Sequence, residues 1–432
     1  MPTPPPPEKP RDRFEVYRFF NGLSADGKAG LDGGRTRVPL VKTFLLEHVS
    51  GRSKRKPRPP SDIFRELGNE VTPVDDTFLS VKAPVKQEPN QPPKKEVVGF
   101  LEQYDERFFA YYTVEGSQEA RTRVRRWISD APDLDSTWFS SQLLLSLWDK
   151  DVSRRGNARY SKLTFKHESV FEMPEDAGNL NDEEAASDDD AEQESSAEDN
   201  ADERPEKERR NARFEMGDRI GRIGASLGKL QENYAPLYAL YSLRFPSRTQ
   251  KGSHDLFQHG QITNRSDSFE DHRNTALHLY RAYKSVLEAT EDVAWSDLQA
   301  PPTDRAFGTN FKGVPLIVRF KEELTERTFN RWMELAFKKR GLFRLWGTPM
   351  RLGKTKVHVY GADRHLWQPI NLEFTDKGIV AILPTGTCGN TFHRLVTNIQ
   401  RYVCPNIDAW LGSKPFSALT DAVGNSMEGT GE

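Results

Sequence analysis

The spacing of apolar positions changes period several times along the chain, and each change marks a different element. Between residues 13 and 50, "RFEVYRFFNGL" puts Phe14, Tyr17 and Phe20 on one face of a helix. "VPLVKTFLLEHV" then reads as a second short helix, with Pro39 near its start and Gly51 after its end. Residues 51–96 lose the periodicity: "GRSKRKPRPP" is charged and proline-rich, and 72–96 is polar and rich in proline, so a linker is expected. From 97 to 172 the pattern becomes globular again. "RFFAYYTV" and "ARYSKLTF" have the composition of strands, "SQEARTRVRRWI" and "SSQLLLSLW" the spacing of helices, and Trp127, Trp138 and Trp148 are candidate core anchors.

Residues 212–300 read as helical. Ile220, Ile223, Leu227, Leu230, Tyr234, Leu237 and Tyr241 recur three and four apart, which suits either a coiled-coil seam for a protein partner over 220–241 or a helix docked on its own domain. Gly217, Gly221, Gly224 and Gly228 weaken such a helix by about 1 kcal/mol each relative to alanine. A second helix, "SFEDHRNTALHLYRAYKSVLEA", opens on Ser268 as its cap and is expected to pair with the first. Residues 311–415 are the most regular: "VPLIVRF", "KTKVHVYG", "PINLEF" and "GIVAIL" as strands, "TERTFNRWMELAFKK" and "NTFHRLVTNIQRYV" as amphipathic helices. The expected fold class is therefore α+β, with helices packed on a mostly antiparallel sheet in a basic C-terminal domain. Residues 1–12 and 416–432 are expected to be flexible ends.

Composition adds one more segment. Apolar content of 36% is low while aromatic content is 10%, and mean hydropathy is −0.73, as if ordered domains were diluted by polar chain. The diluent is evident in 173–211. Fourteen acidic residues and no basic ones lie between Glu175 and Glu203, so this stretch cannot bury enough apolar surface to offset its chain entropy. No run approaches the roughly 18 apolar residues of a bilayer span, so no membrane partner is expected and an intracellular location is. Lys54, Arg55, Lys56 and Arg58 would serve as a nuclear localisation signal in a eukaryote, or as a basic linker.

Candidate chemistry centres on "PTGTCGNTFHRL", residues 384–395. Cys388 at a helix N-terminus would feel the macrodipole and favour thiolate, and His358 or His365 could act as its base, giving a cysteine-dependent hydrolase. The plainer reading is a helix start, with Gly386 and Gly389 shaping the turn and Thr387 or Asn390 capping. His254, His259, His272 and His278 lack the spacing of metal ligands, "GTPMRLGK" lacks the Ser or Thr of a phosphate loop, and no cofactor motif occurs, so neither metal nor cofactor is expected.

Charge distribution carries more. The chain's net charge is −2, and the acidic block hides a strongly basic remainder. Lys338, Lys339, Arg340, Arg344, Arg351, Lys354 and Lys356 fall between Glu334 and Asp363 with no acid among them, interleaved with Phe337, Phe343 and Trp346. Phe337 and Trp346 are read as core residues, and the cations as a phosphate-binding face over 337–360. The expected function is non-enzymatic binding of nucleic acid, with the acidic segment as a tethered regulator or mimic.

Overall fold

The computed structural model describes residues 4–35, 38–48, 58–84, 94–152, 156, 158–173, 211–248, 251–299 and 310–420. The segment 174–210, with nearly all of the acidic stretch, lies outside them, as do Lys54, Arg55 and Lys56. Arg58 is described and forms ion pairs with Glu66 and Asp133.

Helix α1 (Arg13–Asp32) begins where Asp12 accepts the Glu15 N–H, and buries Val16, Phe20 and Leu23. Gly30 sits on the same face because a Cβ there would meet Val38 at 2.9 Å. Strand β1 (Lys42–Glu47) follows in place of the expected second helix, buried at every position. A short run buried on both faces has no alternation, and periodicity alone cannot tell it from a buried helix.

The expected linker also folds in part, into α2 (Pro60–Glu66), β2 (Glu70–Pro73) and β3 (Phe78–Pro84). Next come β4 (Lys95–Gln103), β5 (Phe108–Thr113), α3 (Ser117–Asp130), β6 (Asp135–Ser136), α4 (Ser141–Leu147), β7 (Tyr160–His167), β8 (Ala212–Arg219), α5 (Ile220–Asn233), β9 (Leu240–Pro246), β10 (Ser253–Phe257), β11 (Gln261–Asn264) and α6 (Phe269–Ala294). The eleven strands form one antiparallel sheet, ordered β2-β3-β4-β5-β1-β11-β10-β9-β7-β8, with β6 on β1. Residues 97–172 and 212–300 thus share a single sheet, since β7 pairs with both β8 and β9.

Alternation then sorts the side chains. Phe108, Ala110 and Tyr112 of β5 enter one core with α1, α4, α5 and α6, while Phe109 and Tyr111 enter a second core with α2 and α3. The seam read over 220–241 stops at Asn233: Tyr234 is exposed, Pro236 opens a 3-10 turn, and Leu240 and Tyr241 belong to β9. Proline ends the helix, so the apolar residues beyond it serve a strand instead. The region expected to be wholly helical carries strands β8 to β11 as well, and Ser268 caps α6 as expected by accepting the Asp271 N–H.

The second sheet is built from β12 (Trp295–Gln299), β13 (Asn310–Lys312), β14 (Leu316–Phe320), β15 (Leu345–Gly347), β16 (Met350–Gly353), β17 (Lys356–Asp363), β18 (Gln368–Thr375), β19 (Gly378–Pro384), β20 (Ile407–Leu411) and β21 (Lys414–Pro415). Its backbone order is β15-β17-β18-β19-β14-β20-β21, antiparallel apart from the β12–β19 pair. Helices α7 (Glu326–Ala336) and α8 (Asn390–Tyr402) cover one face through Phe329, Trp332, Phe392, Leu395 and Ile399. All thirteen residues of α8 are buried. Its apolar side meets this sheet and its polar side meets the first: the Asn390 amide donates to the Ser136 carbonyl, and the Gln400 amide to the Tyr238 carbonyl. Phe416 is fully buried, so the folded chain continues past the expected boundary at 415. Among the described residues no helix is long and apolar enough to cross a membrane.

Candidate functional site

The other face of the second sheet, around β15 to β18, is uncovered. Along β17 the apolar Val357 and Val359 point inward, which turns Lys356, His358 and Tyr360 outward. Tyr360 is 73% exposed, Trp346 60% and Trp367 50%. The two tryptophans meet edge to face with ring centroids 6.4 Å apart. Trp346, expected in the core, is therefore a surface residue: it sits on β15 opposite Ala362, with its neighbour Leu345 taking the buried position. Phe337 is half-buried against Phe374.

The backbone beside this platform is strained. Arg344, Leu366 and Trp367 have φ of 54°, 60° and 50°, the non-glycine residues with positive φ among those described. Such conformations persist where the surroundings over-determine them. Here the Leu366 N–H and the His365 ring both bond the Pro132 carbonyl, and the Arg364 N–H bonds the Arg344 carbonyl.

A cleft opens next to the tryptophans, between α3 and the turn after α7. Arg121, Arg125, Arg340, Arg344, Arg364 and Arg401 line it, against Asp135 as the one carboxylate among the described lining residues. Most of these guanidiniums are positioned by polar contacts: Arg121 on Gln261, Arg340 on Asp130, Arg401 on Glu168. Arg364 lies 5.9 Å from the Trp367 ring centroid and links cleft to platform. Burial, and then the nearby Arg340 charge, lowers the Arg364 guanidinium's hold on its proton, the mark of cations crowded together.

The predicted cations divide accordingly. Lys339 and Arg340 are exposed beside the cleft, and Lys338 is half-buried. Arg351, Lys354 and Lys356 lie on the exposed hairpin, where Arg351 donates to Asn330, and Lys354 and Lys356 approach Glu326 and Glu373. Arg344 is not on the surface: it is 8% exposed and paired with Asp135, because its left-handed backbone turns the side chain inward. Sequence reasoning missed Arg121, Arg125, Arg364 and Arg401. Arg121 and Arg125 do carry a signal, being four apart on one face of α3.

Beneath the cleft the structure brings Cys388 and His365 together, whereas His358 faces outward and pairs with Glu373. The helix start uses no side-chain cap: the Gly389 N–H donates to Glu291 Oε1 at 2.9 Å, and a Cβ on Gly389 would press on the Glu291 side chain at 2.7 Å. Cys388 is fully buried, and burial together with Glu47 pushes its thiol well above the ordinary range. Burial likewise raises Glu47 to about 7 and lowers His365 to about 4. A neutral thiol enclosed by carboxylates is a poor nucleophile. Of the other histidines weighed from sequence, His254 bonds Asp271 at 2.9 Å and His272 bonds Thr43 at 2.7 Å inside the first core.

A two-sheet α+β protein with an arginine cleft at the sheet junction is what the fold defines. The chain belongs to the MJECL33-like protein family, whose model matches residues 35–219 and 229–416. It is similar to the uncharacterized protein MJECL33 of Methanocaldococcus jannaschii, 26% identical over 147 residues, a match that covers 34% of this chain and 34% of that protein. No solved structure matches.

Proposed function

We propose that the protein binds single-stranded nucleic acid, phosphates in the arginine cleft and unpaired bases against Trp346, Trp367 and Tyr360. The observation that carries this reading is the contiguity of Arg125, Arg340 and Arg364, the cleft arginines that are not buried, with solvent-exposed tryptophans at one edge of an open sheet face. Arginine forks match phosphate oxygens, and exposed aromatic rings stack bases of any identity, each worth about 1–3 kcal/mol. Duplex DNA would hide the base faces that these rings need, so single strands are preferred.

Fluorescence polarisation with the full chain tests it. Trp346→Ala and Trp367→Ala should each weaken a single-stranded oligonucleotide by about 5- to 150-fold without altering the salt dependence. Arg340→Gln with Arg364→Gln should instead flatten the slope of log affinity against log salt, by about 0.7 per lost phosphate contact. Absence of binding to single-stranded RNA and DNA at low salt rejects the reading.

The acidic segment fits the same proposal as a competitor. Its fourteen carboxylates are tethered between β7 and β8, at an effective concentration on the order of millimolar. Deleting 174–210 and joining Met173 to Asn211 should strengthen binding at about 50 mM salt and change it little at about 300 mM, where screening is short-ranged. Equal affinities of the two proteins at the lower salt would show the segment to be a spacer.

A further inference from the structure

Under the cleft, the side chains joining the two sheets do not balance in charge. Glu47, Asp135, Glu291 and Asp363 supply four carboxylates and Arg107, Arg344 and Arg394 three guanidiniums, every one less than a tenth exposed. They form one connected group. Arg107 reaches Glu47 and Glu291, each at 2.6 Å, Arg394 bridges Asp135 and Asp363, and Glu47 and Asp135 are register partners across β1 and β6. An uncompensated charge in a low-dielectric interior is costly, so a surplus buried carboxylate either takes up a proton or is held by a cation.

Within this group a Glu47 carboxylate oxygen, a His365 ring nitrogen and Cys388 Sγ all lie within 4.8 Å of one another. Two polar atoms here have no hydrogen-bond partner, Glu47 Oε2 and His365 Nε2, and both residues are fully buried. His365 Nδ1 lies 3.0 Å from the Pro132 carbonyl oxygen, which can only accept, so the ring proton sits on Nδ1 and Nε2 presents a bare lone pair. A backbone carbonyl on the far nitrogen is one of the ways a metal-bound histidine is oriented, beside a carboxylate or a water. Cys388 Sγ is 3.1 Å from Glu47 Oε1, and Arg107 Nη2, 3.5 Å from the sulfur, can donate to a thiolate there.

We infer that Glu47, His365 and Cys388 form a site for a divalent transition metal of the zinc type that clamps the first sheet to the second. The mixed oxygen, nitrogen and sulfur donor set suits zinc and disfavours calcium and magnesium. Bonds of about 2.0–2.3 Å at tetrahedral angles put donors roughly 3.3–3.8 Å apart, so the imidazole closes in by at most about 1.5 Å. Charge closes as well: a ligating thiolate brings the buried group to two negative charges, and a dication brings it to zero. The ligands come from β1, the turn after β17 and the turn before α8, which no sequence motif links. This site is independent of the nucleic-acid reading.

The test uses the untagged full chain, expressed in minimal medium with zinc or cobalt as the added metal and purified under reducing conditions without chelator. About one metal per chain is expected, and the cobalt protein should show a sulfur-to-cobalt charge-transfer band in the near ultraviolet. Cys404→Ser should keep that band, since Cys404 bonds the Asn406 carbonyl elsewhere in the second core. Cys388→Ser should lose it, and Glu47→Gln and His365→Gln should each hold at least about tenfold less metal. A metal-free wild-type protein without the band overturns the inference, as does a band that Cys404→Ser abolishes. Both of these outcomes are read without altering the site, so a poorly folding Cys388 variant leaves the decision intact.

Discussion

Arg394→Leu is expected to cost about 3–5 kcal/mol of unfolding free energy at pH 7, because it leaves buried Asp363 without its guanidinium and buried Asp135 with Arg344 alone. Arg394 is completely buried on α8, ion-paired to Asp135 of the first sheet and Asp363 of the second, with its Nε donating to the Phe343 carbonyl at 3.1 Å. Burial opposes ionisation of Asp135, but Arg394 and Arg344 outweigh it and hold the carboxyl below its usual range. A carboxyl depressed in this way contributes stability that is present above its unfolded pKa and lost as the pH falls through its folded one. The gap between wild type and variant should therefore narrow as the pH falls below about 4. Urea unfolding at pH 7 and in that acid range reads both effects, and Asp135→Asn in the variant background should recover part of the loss. A cost under about 1 kcal/mol at neutral pH would mean that the network bears little of the fold's stability.

Trp332→Ala should be of similar size, about 3–5 kcal/mol, for a different reason. Trp332 is fully buried on α7 and packs edge-on against Phe374 at 5.0 Å, with Phe320 at 5.7 Å and Phe343 at 6.4 Å. Its Nε1 has no hydrogen-bond partner, so Trp332→Phe gives up volume but no bond and should cost about 1–2 kcal/mol. Comparable losses for the two variants would point to a hydrogen bond after all. Because Trp332 lies on the covered face of the second sheet, Trp332→Phe should leave oligonucleotide affinity unchanged.

The second sheet was largely legible in the sequence and the first largely was not. Strands such as "KVHVYGAD" have one wet face, so they alternate, and their period betrays them. β1 is dry on both faces, so it has no alternation, and Lys42, Thr43 and Glu47 are buried along with its apolar residues, leaving a pattern that serves a helix equally well. The strands at 70–84 were hidden by composition, since β2 buries only Val71 and is otherwise exposed. At the candidate site the hairpin cations were visible because they are consecutive in the chain. The cleft was not, since Arg121, Arg364 and Arg401 meet only after two sheets have docked. Arg344 and Trp346 exchanged their expected places, a reversal fixed by one left-handed residue that no local pattern announces.

Helix α8, enclosed on every side, has a thermodynamic corollary. Its apolar stripe completes the core of one sheet while its Arg394, Asn390 and Gln400 satisfy groups on the other, so neither sheet has a finished interior without it. Such an element cannot remain folded on half of the molecule. Heating should accordingly produce a single calorimetric transition whose calorimetric and van't Hoff enthalpies agree, and a fragment cut at residue 305 should be recovered as an aggregate or an expanded chain. Two separated transitions would show that the halves melt on their own.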